Sequence, residues 1–249
     1  MLPRIKCQEL NSNDRIAMFV LTMDLEWAPD PVLGDVFELL SDYGVSSTLF
    51  STHEDGFDLS DHERALHPNF LQDSPEEDVL RELAESYPEA TGIRSHGLYV
   101  HSPLRDNYDR FGLEYESNYM MEFVDGIRPF SMPSGFAQFP IYFMDDDWFR
   151  RRNGDEPIPD IQDWIEGDGL RVFDFHPPHI AFNTPTEQFY EDNRDRFWQE
   201  TVEPKELRYE GLGVRDLFRT VLEYVAEHDV ETSTLGELAE EFEDGGDPT

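Results

Sequence analysis

An α/β fold built on a parallel sheet is what this sequence predicts, and three observations predict it. Residues 16–23 (IAMFVLTM) form an unbroken apolar run of strand length, as expected of a strand buried on both faces. Strand-like and helix-like patterns alternate from residue 16 to residue 95, as βαβ units require. The length, 249 residues, suits one α/β barrel, so the whole chain, 1–249, is read as a single domain.

The elements follow in order. After the first strand, Pro29 and Pro31 lead into a helix with Val32, Val36, Leu39, Leu40 and Tyr43 on one face, and Gly44 is placed to end it. Residues 47–52 (STLFST) read as the second strand. Ser74, Pro75 and Glu77 predict a capping box for a helix carrying Val79, Leu80 and Leu83. Residues 91–95 (TGIRS) and 171–175 (RVFDF) read as further strands. Val214, Leu217, Phe218, Val221, Leu222 and Val225 keep helical spacing closely. Thr234 and Glu237 predict a second capping box before a terminal helix, and residues 243–249 (EDGGDPT) a frayed tail. The stretch from 100 to 165 is irregular and rich in aromatics, Asp and Pro, and suits long loops over a site, or a cap.

Charge constrains the setting. Asp and Glu number 55 against 19 Lys and Arg, for a formal charge of -36 and a pI near 4.2. Lys6 and Lys205 are the sole lysines. So much like charge repels itself in dilute buffer, whereas at about 1 M salt the Debye length falls to about 3 Å. The composition therefore points to a salty interior, as in an extreme halophile. Aromatics at 13% and apolar residues at 38% are enough for a core and argue against an acidic disordered chain. The acidity excludes nucleic acid and anionic membranes as expected partners. Cys7 is the only cysteine, so neither an internal disulfide nor a cysteine zinc site is expected. The N-terminal stretch lacks an apolar signal-peptide core, and no run approaches the roughly twenty apolar residues of a membrane span. The expectation is a soluble, cytoplasmic protein.

Residues with catalytic potential lie where strands end. Asp24 and Glu26 follow the first strand, His53 the second, Arg94 and His96 the TGIRS run, and His176 and His179 the RVFDF run; His67 sits in ALHPNF. In a parallel barrel the carboxyl ends of the strands converge on one mouth. Carboxylates with several imidazoles there suit a divalent transition metal, with zinc the default and cobalt, nickel or manganese also compatible. Such a metal lowers the pKa of water to about 7 for attack on a carbonyl. His62 and His228, in polar or helical contexts, read as ordinary surface histidines, and His101 is a weaker candidate.

The order of these pieces resembles the polysaccharide deacetylases of the NodB-homology fold, in particular the WbmS-like branch. The matching segments are LTMDLEW (21–27), STLFSTHED (47–55), ALHPNF (65–70), TGIRSHGL (91–98), LEYESNY (113–119), FPIYFMDDD (139–147) and FDFHPPHIAFNT (173–184). The resemblance implies a distorted (β/α)7 barrel and a metal-dependent hydrolase that removes an acetyl group from an N-acetylated sugar or glycan precursor. It assigns Asp24 as general base and Glu26 as metal ligand, or the reverse, with Leu25 inserted between acids that are adjacent in the family. It makes His67 a ligand, Arg94 the group that orients the base and His176 the general acid. The family's second motif has two histidines four apart, but Leu71 stands in the second place, so His96 is expected to supply the ligand. The fourth motif falls on either Glu116-Ser117-Asn118 or Asp145-Asp146-Asp147-Trp148. His53, Asp146 and His179 are candidates for substrate binding. Two rival readings accompany this one: a non-catalytic sugar- or protein-binding descendant of the barrel, and a hydrolase of another C–N bond. Oligomeric state is left open.

Overall fold

The computed structural model describes residues 17–132, 135–154 and 156–244. Cys7, Ile16 and the tail beyond Asp244 lie outside the described residues. The first strand, β1 (Ala17–Asp24), runs to Asp24, and its residues from Phe19 onward are buried. It is followed by α1 (Asp30–Ser41), which buries Val32, Leu33, Val36, Phe37, Leu39 and Leu40. Gly44 takes φ +63° in the turn beyond, where a side chain would be strained.

Next come β2 (Ser47–Ser51), β3 (Glu63–Leu66), α2 (Glu76–Ser86) and β4 (Gly92–Ile93). The strand β3 carries no clear apolar pattern and is absent from the sequence-based expectation. Helix α2 starts one turn position later than expected: its N-cap is Pro75, with no side-chain cap, so the Ser74–Glu77 box does not form. The Pro75 carbonyl instead takes the amides of Asp78 and Val79, at 3.0 and 3.1 Å.

The irregular stretch supplies wall rather than a cap. It holds α3 (Ser102–Arg105), β5 (Tyr115–Glu116), β6 (Phe130–Ser131), β7 (Ala137–Gln138), β8 (Ile141–Met144), α4 (Asp145–Arg150) and α5 (Gln162–Glu166). Many of its aromatics, among them Tyr108, Tyr115, Phe139, Tyr142, Phe143 and Phe149, are buried. The chain then forms β9 (Gly169–Phe175), α6 (Pro177–Phe182), α7 (Glu187–Phe197), α8 (Pro204–Leu207), α9 (Val214–Glu227) and α10 (Leu235–Asp244). The Thr234 cap forms as expected: Glu237 N–H donates to Thr234 Oγ1 at 3.2 Å, and Thr234 N–H to Glu237 Oε2 at 2.8 Å.

The sheet order is β6-β7-β5-β4-β3-β2-β1-β9-β8, with every pairing parallel except β6 with β7. Strands β7 and β8 are two halves of one ribbon bent at Phe139 and Pro140. The first half pairs with β5 and the second with β9, while Ile141 bridges back to Met120 just beyond β5. That bridge curls the sheet shut, with β1, β2, β3, β4, β5, the β7–β8 ribbon and β9 as seven staves. This is the distorted (β/α)7 barrel expected.

Parallel register sets which residues share an end. Asp24 pairs with Phe50, Ser51 with Leu66, Leu66 with Ile93, Ile93 with Glu116, and Met144 with Asp174. The next residues along each stave are therefore neighbours at the carboxyl rim: His67, Arg94, Ser117, Asp145 and, two past Asp174, His176. The helices pack their apolar faces on the outside of this wall, with Val214, Leu217, Phe218, Val221 and Leu222 of α9 fully buried.

Candidate functional site

The turn after β1 presents the two acids. Leu25 is buried in the core, and its amide donates to the Phe50 carbonyl at 2.9 Å. Glu26 takes φ +51°, unusual for a non-glycine residue. The Thr52 hydroxyl holds the Glu26 carbonyl, and the Ala28 amide returns to Leu25 O at 3.2 Å. The inserted leucine anchors the turn, and the left-handed kink sends the Glu26 carboxylate to the same side as Asp24.

Glu26, His67 and His96 form one group, with ligand atoms all within 4.8 Å of one another. Glu26 Oε1 lies 3.0 Å from His96 Nδ1 and 3.4 Å from His67 Nε2. Burial pushes the Glu26 carboxyl up, but the His67 and His96 imidazoles more than reverse this and hold it well below the usual carboxylate range. The Glu26 carboxylate beside it raises His96 above the usual imidazole value, against the effect of burial. His67 is 1% exposed, and neither ring nitrogen has a hydrogen-bond partner. A buried polar atom without a partner is costly, about 1–3 kcal/mol, and calls for an explanation. A cation between these three groups would supply one, and two imidazoles with a carboxylate are a fitting donor set.

Arg94 organises the barrel interior. It is fully buried, over the Phe50 ring at 4.2 Å. Its Nη1 donates to Asp24 Oδ1 at 2.9 Å, Asp174 Oδ1 at 2.5 Å and Thr22 Oγ1 at 2.9 Å. Nε and Nη2 are taken by the carbonyl and hydroxyl of Ser117, at 3.0 and 2.8 Å. Asp174 is fully buried as well, and its Oδ2 has no partner. Burial pushes its carboxyl up to about 7, with Arg94 opposing and Asp24 adding to the rise.

His176 follows β9 and is held by Asp145. Asp145 Oδ2 accepts the His176 backbone N–H at 2.9 Å, and Oδ1 lies 2.7 Å from ring Nδ1. Burial works against the charged ring, yet the Asp145 carboxylate holds its pKa well above the usual imidazole value. One ring nitrogen of His176 also lies within 4.8 Å of oxygens of Asp24 and Asp174.

The remaining candidates divide. His179 Nε2 pairs with Asp146 Oδ1 at 2.8 Å, and its ring packs on Phe149 and Tyr190 beside His176. Together Asp146, His176 and His179 make a second group of clustered donor atoms, but here the Asp146–His179 contact already satisfies both partners. His53 connects to the site through Thr52, whose hydroxyl lies 2.8 Å from its Nδ1. His101 pairs with Glu76 instead, at 2.6 Å. Of the two segments open as fourth motif, Asp145 meets His176, whereas Glu116 is buried against Arg105, Asn118 and Gln138. Asp174 and Thr22 were not singled out by sequence reasoning, and Asp145 and Ser117 only as members of the two alternative fourth motifs, without these roles. Parity along β9 was the available signal for Asp174, since it lies two residues before His176 and so points the same way.

The profile of the WbmS-like polysaccharide deacetylases matches residues 21–194. A crystal structure from Bordetella bronchiseptica, of a protein described as a polysaccharide deacetylase involved in O-antigen biosynthesis, superposes with a TM-score of 0.75 at 26% identity, covering 84% of this chain and 90% of that one. A polysaccharide deacetylase from Mycobacterium smegmatis shares the fold at a TM-score of 0.51 and 16% identity, over 95% of this chain and 93% of that one. No curated protein matches the sequence significantly. Among the described residues, no helix is long and apolar enough to cross a membrane. With its profile match running from the end of β1 into α7, the chain belongs to the WbmS-like polysaccharide deacetylase family.

Proposed function

We propose that this protein is a divalent-metal-dependent deacetylase acting on an N-acetylated sugar or glycan precursor. The observation that carries the reading is His67, buried with neither ring nitrogen hydrogen-bonded although carboxylates of Asp24 and Glu26 lie 3.7 and 3.4 Å away. Glu26, His67 and His96 would hold the cation, with zinc the first choice and cobalt, nickel or manganese also suited. A cation there supplies Lewis acidity at the acetyl carbonyl and lowers the pKa of water toward about 7.

The chain's own groups divide the proton work. Asp24, aimed by Arg94, is the general base that takes a proton from the attacking water. His176, kept protonated by Asp145, gives its proton to the departing amine as the C–N bond breaks. Acetate and a free amino sugar result. The split of roles is favoured by the neighbours: Glu26 faces two imidazoles, and Asp24 faces a guanidinium. Asp146, partly exposed at the rim beside His176, would meet substrate hydroxyls, with the buried His179 bracing it and His53 linked to the site through Thr52. The likeness to the Bordetella protein supports a precursor of a surface glycan as substrate. The acid surplus supports work at high ionic strength.

The test is acetate release from N-acetylated sugars by metal-loaded protein in high salt. Asp24→Asn and His176→Ala are each expected to abolish turnover with the fold intact, since the asparagine in the first keeps an oxygen to accept from Arg94. Full activity in either variant, or in protein stripped by chelator, would refute the assignment. A metal-free sugar-binding barrel is the rival reading, favoured by Leu71 in place of the second histidine. Equilibrium dialysis against zinc separates the two, because that rival takes up none.

A further inference from the structure

We propose that Trp27 is the platform on which the sugar ring carrying the acetamido group stacks, and so the residue that selects cyclic substrates at this mouth. The inference rests on the deacetylase reading above and deepens it.

Large apolar side chains standing in water need a reason when they cluster beside a site. Trp27 is 45% exposed and Leu71 is 62% exposed. Both flank His96. The Trp27 ring meets His96 edge-on, with centroids 5.1 Å apart at 76°. Leu71 Cδ1 lies 3.6 Å from where a side chain on Gly97 would begin. His96 itself is partly exposed between them. The rim beside His96 is therefore apolar, whereas Asp146 and His176 supply polar groups elsewhere on it.

The seat of the indole is fixed by the backbone. Glu26 turns left-handed at φ +51°, tied down by Thr52, and this throws the next side chain outward as it turns the carboxylate inward. Trp27 is thus one residue from a proposed metal ligand and in contact with another. An indole presented this way matches the C–H face of a pyranose, which is apolar while its rim of hydroxyls stays wet. A ring laid on it leaves an acetamido arm free to dip past His96 toward Glu26 and His67. An acetamide without a ring gains nothing from Trp27.

Such a contact is made equally in the ground and transition states, so it is read in KM rather than kcat. The experiment compares wild type, Trp27→Ala and Trp27→Tyr, all zinc-loaded, on N-acetylglucosamine, its trimer and the ringless N-acetylethanolamine. Trp27→Ala is expected to raise KM for the sugars about tenfold, equivalent to about 1.4 kcal/mol. Its kcat and zinc content should stay within twofold, N-acetylethanolamine turnover should not change, and Trp27→Tyr should restore most of the loss. Unchanged KM in Trp27→Ala, with wild type active, overturns the platform and leaves the deacetylase reading standing. A loss of zinc or of kcat alone also overturns it, because Trp27 would then act through His96. Binding of the trimer, followed by saturation-transfer NMR, is measured in parallel. Binding by wild type and not by Trp27→Ala, without turnover, keeps the platform and sinks the deacetylase reading; binding by neither sinks the platform too.

Discussion

Asp145 grips His176 at two points, its Oδ2 taking the backbone N–H at 2.9 Å and its Oδ1 facing ring Nδ1 at 2.7 Å. The first contact fixes where the residue sits, and the second fixes which way the ring faces and favours its cationic form. A general acid must be protonated to work, so activity should fall as pH rises through the His176 pKa. Asp145→Asn keeps the shape and removes the charge. Burial then meets only the weaker opposition of Asp174 and Asp146, so that pKa falls. We expect kcat at neutral pH to drop about a hundredfold, within the usual range for acid catalysis. The alkaline limb of the pH–rate profile should move to lower pH. A limb that stays in place would show that another group gives up the proton.

Metal binding should be visible as stability. A cation that binds the folded state alone, at a hundredfold excess over Kd, adds about 2.7 kcal/mol. For a chain of this size that corresponds to a rise in Tm of about 5–10 °C. His67→Ala should abolish the rise while leaving the melting of the chelator-treated protein near that of wild type. A variant that still gains several degrees from zinc would place the cation elsewhere.

Asp174 gives a pH dependence of stability with a defined sign. Its folded pKa, about 7, lies above the unfolded carboxylate value of about 3.9. Between those values the folded state holds a proton that the unfolded state has released, so this group's contribution to stability falls as pH rises across that window. Asp174→Asn removes the titration. Urea melts from pH 4 to pH 8 should show a flatter loss for the variant, and identical slopes would exclude the proposed titration.

Net charge of -36 predicts a salt response. Raising KCl from about 0.1 M to about 1 M shortens the Debye length from about 10 Å to about 3 Å. Exposed carboxylates then repel less, and Tm should climb over this range. A Tm that is flat or falling would mean that counter-charges in the fold already balance the surface.

Long, periodic elements were legible in the sequence, and short polar ones were not. The apolar run of β1 and the helical spacing of α9 stand out because each buries a whole face. The strand β3, Glu63–Leu66, starts with two charged residues and contributes four residues in all, so no period emerges. Within the site, acids and imidazoles at strand ends were visible because the apolar runs stop there. Asp145 was visible only as one of two alternatives for a motif, and Asp174 not at all, because in a chain with 55 acids a buried carboxylate looks like any other until its partners are known. Leu71 was legible as a gap, and His96, raised to the same rim by β4, lies where it can close that gap.

The guanidinium of Arg94, just past β4, joins Asp24 at the end of β1 to Asp174 of β9, whose register partner on β1 is Thr22. During synthesis, a ribosome that has delivered Glu26, His67 and His96 has made only half an enzyme. The nascent chain carries these groups without the stave that holds Asp174 and leads to His176. On the proposed mechanism, hydrolytic power would therefore arrive late and all at once, when the last strand slots in beside the first.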